Sequence, residues 1–161
     1  MAKTSPIGST YVTELPVTRK FNLTLSTDTN AYADNDTLAA PQEITDFFPT
    51  PNSIVVVEQI RLQDNADQAQ DIDIIFLSTD GAIGNENAAF TMTDAVSETV
   101  IGSVSVVAAN YIDGVNNQFA FKSNLGLILQ GSTTSVWVAA VCRSGTPTYA
   151  ADSLKLVIHV R

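Results

Sequence analysis

Apolar and polar residues alternate with a period of two along most of this chain. In residues 17–25, VTRKFNLTL, the apolar side chains of Phe21, Leu23 and Leu25 are separated by polar ones. Successive side chains of a strand point to opposite faces, so this alternation predicts a half-buried strand. Arg19 is the one exception in the run.

A second run, SIVVVEQIRLQ at residues 53–63, begins with consecutive apolar residues and ends in alternation. That change predicts a central strand that emerges at one edge of the core. A regular strand would place Ile54, Val56, Ile60 and Leu62 on one shared face.

The polar segment DNADQAQ follows, and after it comes the apolar run DIDIIFLS at residues 71–78. Ile72, Ile74 and Phe76 share one side of this run, which therefore also predicts a strand. Because only a short polar turn joins the two runs, we predict that they form a β-hairpin.

Five further runs are rich in Val, Ile and aromatic residues and predict strands. They are GSVSVVAA at 102–109, QFAFK at 118–122, LGLILQ at 125–130, TSVWVAAVCR at 134–143 and DSLKLVIHVR at 152–161. Clusters of Gly, Asn, Asp, Ser and Pro separate them, as turns require. One helical turn is predicted in TDAVSETVIG, capped by Thr93 or Asp94 and ended by Gly102.

These elements predict an all-β protein: an antiparallel β-sandwich of about eight or nine strands with jelly-roll or related Greek-key topology. The length of 161 residues suits one domain. We therefore expect a single β-sandwich domain at residues 16–161. Residues 1–15 are polar and predict an N-terminal arm or edge segment.

The composition is that of a folded, acidic protein. Hydrophobic residues make up 45% of the chain, and 17 Asp and Glu against 8 Lys and Arg give a net charge of -9. This charge repels phosphate backbones and anionic headgroups, so we expect no nucleic-acid or membrane partner and a comparatively basic partner surface. The absence of a signal-like apolar run predicts synthesis in the cytoplasm.

Few residues could support catalysis. His159, the single histidine, falls on the polar side of the last strand beside Lys155, where we expect a surface role rather than a catalytic base. Cys142, the single cysteine, is in phase with Val136 and Val138 and is expected to be a small buried hydrophobic residue. A cysteine nucleophile would need an accessible, electropositive setting, which the sequence does not indicate.

Aspartates are the richest candidates for a metal site, because hard cations bind several converging oxygens. They are Asp28, Asp34, Asp36, Asp64, Asp67, Asp71 and Asp73. Asp and Asn also cap turns through their own backbones, which favours the interpretation as solvated turn residues. In AYADNDTLAAP we expect Asp34 and Asp36 to bond the chain and Tyr32 to pack locally. We predict no catalytic, cofactor-binding or metal site.

Three short motifs carry a resemblance to a known group of proteins. A Tyr-Ala-x-x-Asp-x-Leu segment at Tyr32–Leu38 precedes the first long apolar strand, Asn-Ala-Ala-Phe follows at Asn87–Phe90, and Thr-Pro-Thr-Tyr at Thr146–Tyr149 opens the last strand. With these motifs, roughly residues 20–160 resemble a group of tailed-bacteriophage virion proteins of this size.

The resemblance implies a non-enzymatic structural protein of the particle. It implies a head-decoration (cement) protein that lies on the outer surface of the head, clamps neighbouring subunits of the major capsid protein and self-associates as a homotrimer. No cofactor and no catalytic residue come with it.

Other classes remain open at this point. The protein could belong to the phage tail or its fibres. A carbohydrate-binding β-sandwich would present clustered surface aromatics, for which the residues to inspect are Tyr32, Tyr111, Tyr149 and Trp137. Of these four residues, Trp137 lies in mid-strand and is expected to be a core residue. A small hydrolase would need a cleft of carboxylates, or His159 paired with Cys142.

Overall fold

The structure, a computed structural model, describes residues 18–161 and places nine strands in two antiparallel sheets. The strands are β1 (Arg19–Leu25), β2 (Thr37–Ile44), β3 (Ile54–Asp64), β4 (Ile72–Leu77), β5 (Val100–Val106), β6 (Tyr111–Asp113), β7 (Gln118–Gln130), β8 (Val136–Cys142) and β9 (Leu154–Val160). The five-stranded sheet has the order β1-β9-β3-β7-β6, and the four-stranded sheet β2-β8-β4-β5. The predicted antiparallel sandwich is confirmed. The arm predicted at residues 1–15 lies outside the described residues.

The connectivity is that of a jelly roll, in which one long hairpin wraps into two facing sheets. β1 pairs with β9, β2 with β8, β3 with β7 and β4 with β5, so the partners nest from the ends of the chain towards its middle. Successive pairs lie in alternate sheets. β6 is an addition that pairs with β7 at the sheet edge.

The predicted hairpin between β3 and β4 is wrong. β3 lies between β9 and β7 in the five-stranded sheet, whereas β4 lies between β8 and β5 in the other. The segment DNADQAQ therefore carries the chain from one sheet to the other. A short polar segment serves a hairpin turn and an intersheet crossing equally well, so its composition could not separate the two.

The predicted shared face of β3 is also wrong. Ile54 is exposed and Ile60 is buried, although six positions separate them. Val57 and Gln59 pair with successive residues of β9, so Glu58 is an extra residue in β3. One extra residue exchanges the two faces of a strand. The core-facing side chains are Val55, Val57, Ile60 and Leu62.

The runs QFAFK and LGLILQ, predicted as two strands, form the single 13-residue strand β7. The pairing with β3 shifts register between them. Asn124 and Gly126 have φ angles of 57° and 56° at this point, in the left-handed region, which kinks the strand without ending it.

The predicted helical turn begins as expected and ends early. Helix α1 spans Asp94–Ser97, and the Thr93 hydroxyl accepts a hydrogen bond from the backbone N–H of Val96. The predicted end at Gly102 is wrong, because β5 has already begun at Val100 and pairs with β4. A single 3-10 turn spans Ala108–Asn110. Among residues 18–161, no helix is long and apolar enough to cross a membrane.

Two apolar clusters hold the layers together. The main core fills the space between the two sheets and includes Phe47, Phe48 and Phe76. A second cluster lies on the outer side of the four-stranded sheet, where the β4–β5 loop, residues 78–99, packs side chains such as Ile83 against Leu77. The described residues therefore form three layers, and none of them packs over the outer side of the five-stranded sheet.

Candidate functional site

The three motifs that carry the family resemblance meet at one place, here called the motif junction: Tyr32–Leu38, Asn87–Phe90 and Thr146–Tyr149. Backbone hydrogen bonds join them directly. The N–H of Tyr32 donates to the carbonyl of Pro147 at 2.9 Å, and the N–H of Thr37 donates to the carbonyl of Ala88 at 2.8 Å. Segments far apart in the sequence thus form one framework around the start of β2.

Tyr32 is the central side chain of the motif junction. Its ring is buried and meets the ring of Tyr149 edge to face, with 5.9 Å between the centroids. Its hydroxyl accepts a hydrogen bond from the N–H of Asp28 at 2.7 Å and lies 3.2 Å from the carbonyl of Leu38 and 3.3 Å from a carboxylate oxygen of Glu86. Burial raises the pKa of Tyr32 above its usual range.

Arg143 fastens the junction from the end of β8. Its Nε donates to a carboxylate oxygen of Asp73 at 2.7 Å, and its Nη1 donates to Oδ1 of Asn35 at 2.6 Å. The guanidinium also lies over the ring of Phe90, 5.3 Å from the centroid. One cation thus links β4, the Tyr32 motif and the Asn-Ala-Ala-Phe motif.

The aspartates named as metal candidates serve as turn and strand contacts. Asp36 accepts a hydrogen bond from the N–H of Ala33 at 2.7 Å, as expected of a turn, and Asp67 accepts one from the side chain of Gln118 at 2.8 Å. Asp28 bonds Asn30, Asp71 bonds the N–H of Ala108, and Asp73 bonds Ser105 besides Arg143. The prediction that Asp34 bonds the chain is wrong, because its side chain is exposed and makes no hydrogen bond within residues 18–161. In that range no group of three His, Cys, Asp or Glu residues could hold a metal ion.

Asp64 differs from the other aspartates because it is fully buried. Its carboxylate accepts hydrogen bonds from the backbone N–H groups of Ala66, Gln68 and Ala69, at 2.8, 2.8 and 2.9 Å. Donors of this kind offset the loss of hydration that a buried carboxylate suffers. Asp64 therefore organises the crossing from β3 towards β4.

Cys142 and His159 lie apart and form no dyad. Cys142 belongs to the core between the sheets, as predicted, and its Sγ lies 3.2 Å from the carbonyl of Ser144. Burial raises the pKa of the Cys142 thiol, which disfavours the thiolate. His159 is half-buried on the outer side of the five-stranded sheet, between Lys20 and Gln59 on the flanking strands. That sheet separates the two side chains.

The four aromatic residues named for a sugar platform do not form one. Tyr32 and Tyr149 are buried, and Tyr111 is half-buried with a hydroxyl that is shielded from solvent. Trp137 is half-buried on the outer side of the four-stranded sheet, where it packs against the second apolar cluster rather than in the main core, so its expected core role is wrong. No pocket is found among residues 18–161.

The feature that the sequence did not reveal is the outer side of the five-stranded sheet. Cross-strand pairing arranges its outward residues in three rows. The rows are Thr24, Lys155, Gln63, Phe119 and Ile112; then Asn22, Val157, Arg61 and Phe121; then Lys20, His159, Gln59 and Ser123. We call the surface formed by these three rows the basic face, because the rows contain Lys20, Arg61, Lys155 and His159 and no carboxylate; the neighbouring Glu58 is paired with Arg161.

The basic face has an apolar end formed by β6 and β7. Phe119 and Phe121 contact each other edge to face, with 5.9 Å between the ring centroids. Phe121 is 44% exposed, and Ile112 and Val115 are 54% and 81% exposed. In QFAFK the aromatic side chains therefore point outwards, while the small Ala120 between them faces the core beside Tyr111. The alternation in QFAFK predicted a strand, but it did not indicate which side of the strand is buried.

Charge of the opposite sign covers the other broad side of the molecule. The β4–β5 loop carries Asp80, Glu86, Asp94 and Glu98 and no lysine, arginine or histidine. Because this loop lies over the four-stranded sheet and the basic face lies outside the five-stranded one, the two charged surfaces are on opposite sides of the sandwich.

Comparison with known proteins adds a weak structural similarity. No family model and no curated protein matches the chain. Among solved structures, it is similar to a chain named Desmodium yellow mottle tymovirus, with 10% sequence identity, a TM-score of 0.27, and coverage of 99% of this chain and 86% of that one. A TM-score this low does not establish a shared fold, and the jelly-roll assignment rests on the strand pairing alone.

Proposed function

We propose that this chain is a non-enzymatic structural protein of a tailed-bacteriophage virion, a head-decoration (cement) protein that binds the major capsid protein on the outer surface of the head. The observation that carries the proposal is the motif junction. The three segments by which the sequence resembles phage virion proteins are the segments that fold together around the start of β2. The resemblance therefore falls on one folded framework of this chain rather than on three separate places, which supports the proposal.

The geometry suits this role. A jelly roll held by two apolar clusters is a stiff block with two broad sides, and its contact surfaces need no moving parts. Repeated copies on a shell gain avidity, so each contact can be modest in area. The two sides differ in charge, which provides a means of fixing the orientation of the block on a partner.

The test is to mix the purified full chain with heads that lack it and to image them. We expect ordered density outside the shell, with a stoichiometry set by the symmetry of the shell. Binding to tails or fibres in place of heads would support the alternative, a structural protein of the phage tail or its fibres. Binding to no virion part would contradict the proposal.

We further propose that the protein is a homotrimer, as the family resemblance implies. Light scattering on the purified chain at micromolar concentration measures this directly. A mass equal to that of one chain across the concentration range would contradict the trimer while leaving the head-binding test unaffected.

A further inference from the structure

We propose that the basic face is a docking surface for a protein partner whose own surface presents carboxylates beside an apolar patch. The inference rests on the proposed function, within which that partner surface belongs to the major capsid protein. It names the side of the sandwich that meets the shell, which the proposed function leaves open.

The cations of the basic face are available to a partner. Lys20 and Lys155 are exposed, and neither forms an ion pair with another described residue. Arg61 lies across the sheet between Val157 and Phe121, and its Nε is shielded from solvent without a hydrogen-bond partner within residues 18–161. The Arg61 side chain is only half-buried, and a guanidinium is a favoured donor to the carboxylates of a partner.

The apolar part of the face supplies the second half of the argument. Phe121 and Ile112 are exposed, half-buried Phe119 lies between them, and Phe121 pairs across the strands with Arg61. Aromatic residues and arginine are the side chains that most often dominate the energy of protein interfaces. An exposed apolar patch of this composition, with lysines on the same face, is typical of an interaction site.

The distribution of charge points to an acidic occupant. The net charge of -9 led us to expect a basic partner, but the three rows of the basic face contain no carboxylate, and the β4–β5 loop on the opposite side of the sandwich carries four. Contact between surfaces is governed by the local charges that meet. The partner surface opposite Lys20, Arg61 and Lys155 is therefore acidic.

Two other occupants fit less well. A second copy that docked through its own basic face would bring the cations together. A copy that docked through its β4–β5 loop would leave both outer surfaces free, and the copies would continue as an open stack, because the two surfaces are on opposite sides. A nucleic acid would meet few cations on a strongly acidic chain, and its affinity depends on the number of phosphates neutralised.

The experiment compares charge reversal on the two sides of the same full-length protein. The test variants are the double change Lys20→Glu with Lys155→Glu, and the single change Phe121→Ser. The matched control is the double change Asp94→Lys with Glu98→Lys on the β4–β5 loop, where both side chains are exposed. Urea unfolding of each variant verifies that the fold is kept, and co-sedimentation with heads that lack the protein measures binding.

We expect each test variant to lose about tenfold or more in affinity and the control to bind within about twofold of wild type. Raising the salt concentration to about 0.5 M should weaken wild-type binding and shrink the gap between wild type and the lysine variant. Equal binding by wild type, test and control variants would overturn the inference and leave the proposed function standing. Failure of wild type to bind would overturn both.

Two companion measurements decide between occupants. If light scattering shows that the test variants lower the mass of the protein, a second copy occupies the face and the inference is overturned. If a labelled oligothymidylate binds wild type and is lost in Phe121→Ser, the occupant is a nucleic acid and the inference is likewise overturned. Unchanged mass and no oligothymidylate binding support the acidic protein partner.

Discussion

The rings of Tyr32 and Tyr149 meet at 65° with 5.9 Å between their centroids, yet their hydroxyls have opposite surroundings. The Tyr32 hydroxyl has three polar neighbours, whereas the Tyr149 hydroxyl is buried without a partner among the described residues. Both rings fill the same part of the core. Comparing substitutions at the two positions therefore separates the contribution of the hydroxyl group to stability from that of the ring.

Replacing each tyrosine by phenylalanine should therefore give different results. Tyr32→Phe leaves the N–H of Asp28 without its acceptor, so we expect the free energy of unfolding to fall by about 1–2 kcal/mol. Tyr149→Phe removes a buried hydroxyl that makes no bond, so it should be neutral or stabilising. Urea denaturation measures both, and equal losses would contradict the assigned contacts.

Buried tyrosines should also make the protein sensitive to alkaline pH. Burial, in each case the largest cause, raises the pKa of Tyr32, Tyr111 and Tyr149, and the Asp64 carboxylate raises the last two further. The unfolded chain ionises these phenols near pH 10, while the folded chain keeps them protonated. Their stabilising contribution is therefore complete below about pH 10 and is lost as the pH rises above it, by up to about 1.4 kcal/mol per pH unit for each tyrosine.

The measurement is the urea concentration at the midpoint of unfolding, determined at several pH values between about 8 and 11. Tyr149→Phe should show a smaller decline, since one of the three phenols is gone. Burial raises the pKa of the Cys142 thiol as well, so this group also lowers stability as the pH rises, beginning at a lower pH than the tyrosines. The tyrosine variants are therefore compared in a Cys142→Ala background. A decline of equal slope with and without Tyr149 would rule out the proposed cause.

Much of the fold could be predicted from the sequence because alternation is a local property. The runs that became β1, β3, β4, β8 and β9 were located within a few residues, and Thr93 was recognised as a cap because capping depends on adjacent residues. The antiparallel sandwich also followed from many short strands between turns, whereas the choice of a jelly roll over a related Greek key required the strand order.

What failed depended on contacts between distant residues. The bulge at Glu58 exchanges the faces of β3 and is visible only in the pairing with β9. The partner of β4 lies in a different sheet from β3, and the outward position of Phe119 and Phe121 depends on Tyr111 filling the core side of Ala120. The basic face combines residues of five strands, so no single segment of the sequence reveals it.

The buried Asp64 should be a strong determinant of stability. Asp64→Ala leaves the N–H groups of Ala66, Gln68 and Ala69 without acceptors, and we expect a loss of about 3 kcal/mol or more in the free energy of unfolding. Asp67→Ala is the control, because it removes one exposed side-chain bond, to Gln118, and should cost less than about 0.5 kcal/mol. Losses of similar size in urea denaturation would show that the crossing does not depend on Asp64.

Gly84 holds the β4–β5 loop against the motif junction in a way that other residues cannot. Its φ of 103° lies where L-residues are strained, and an added Cβ would lie 2.8 Å from the carbonyl oxygen of Ala89 and 2.9 Å from Oγ1 of Thr37. Thr37 Oγ1 also donates a hydrogen bond to the carbonyl of Ile83, so it cannot move aside without breaking that bond. Gly84→Ala should therefore lower the free energy of unfolding by about 2–4 kcal/mol.

Gly126→Ala is the matched control, since its φ of 56° is also positive but nothing lies within 4 Å of the added Cβ. It should cost about 1 kcal/mol, from backbone strain alone. Urea denaturation of the two variants isolates the steric term, and amide hydrogen exchange should show faster opening of residues 83–91 only in Gly84→Ala. Equal losses in the two variants would mean that the close approach of the loop to Thr37 does not contribute to stability.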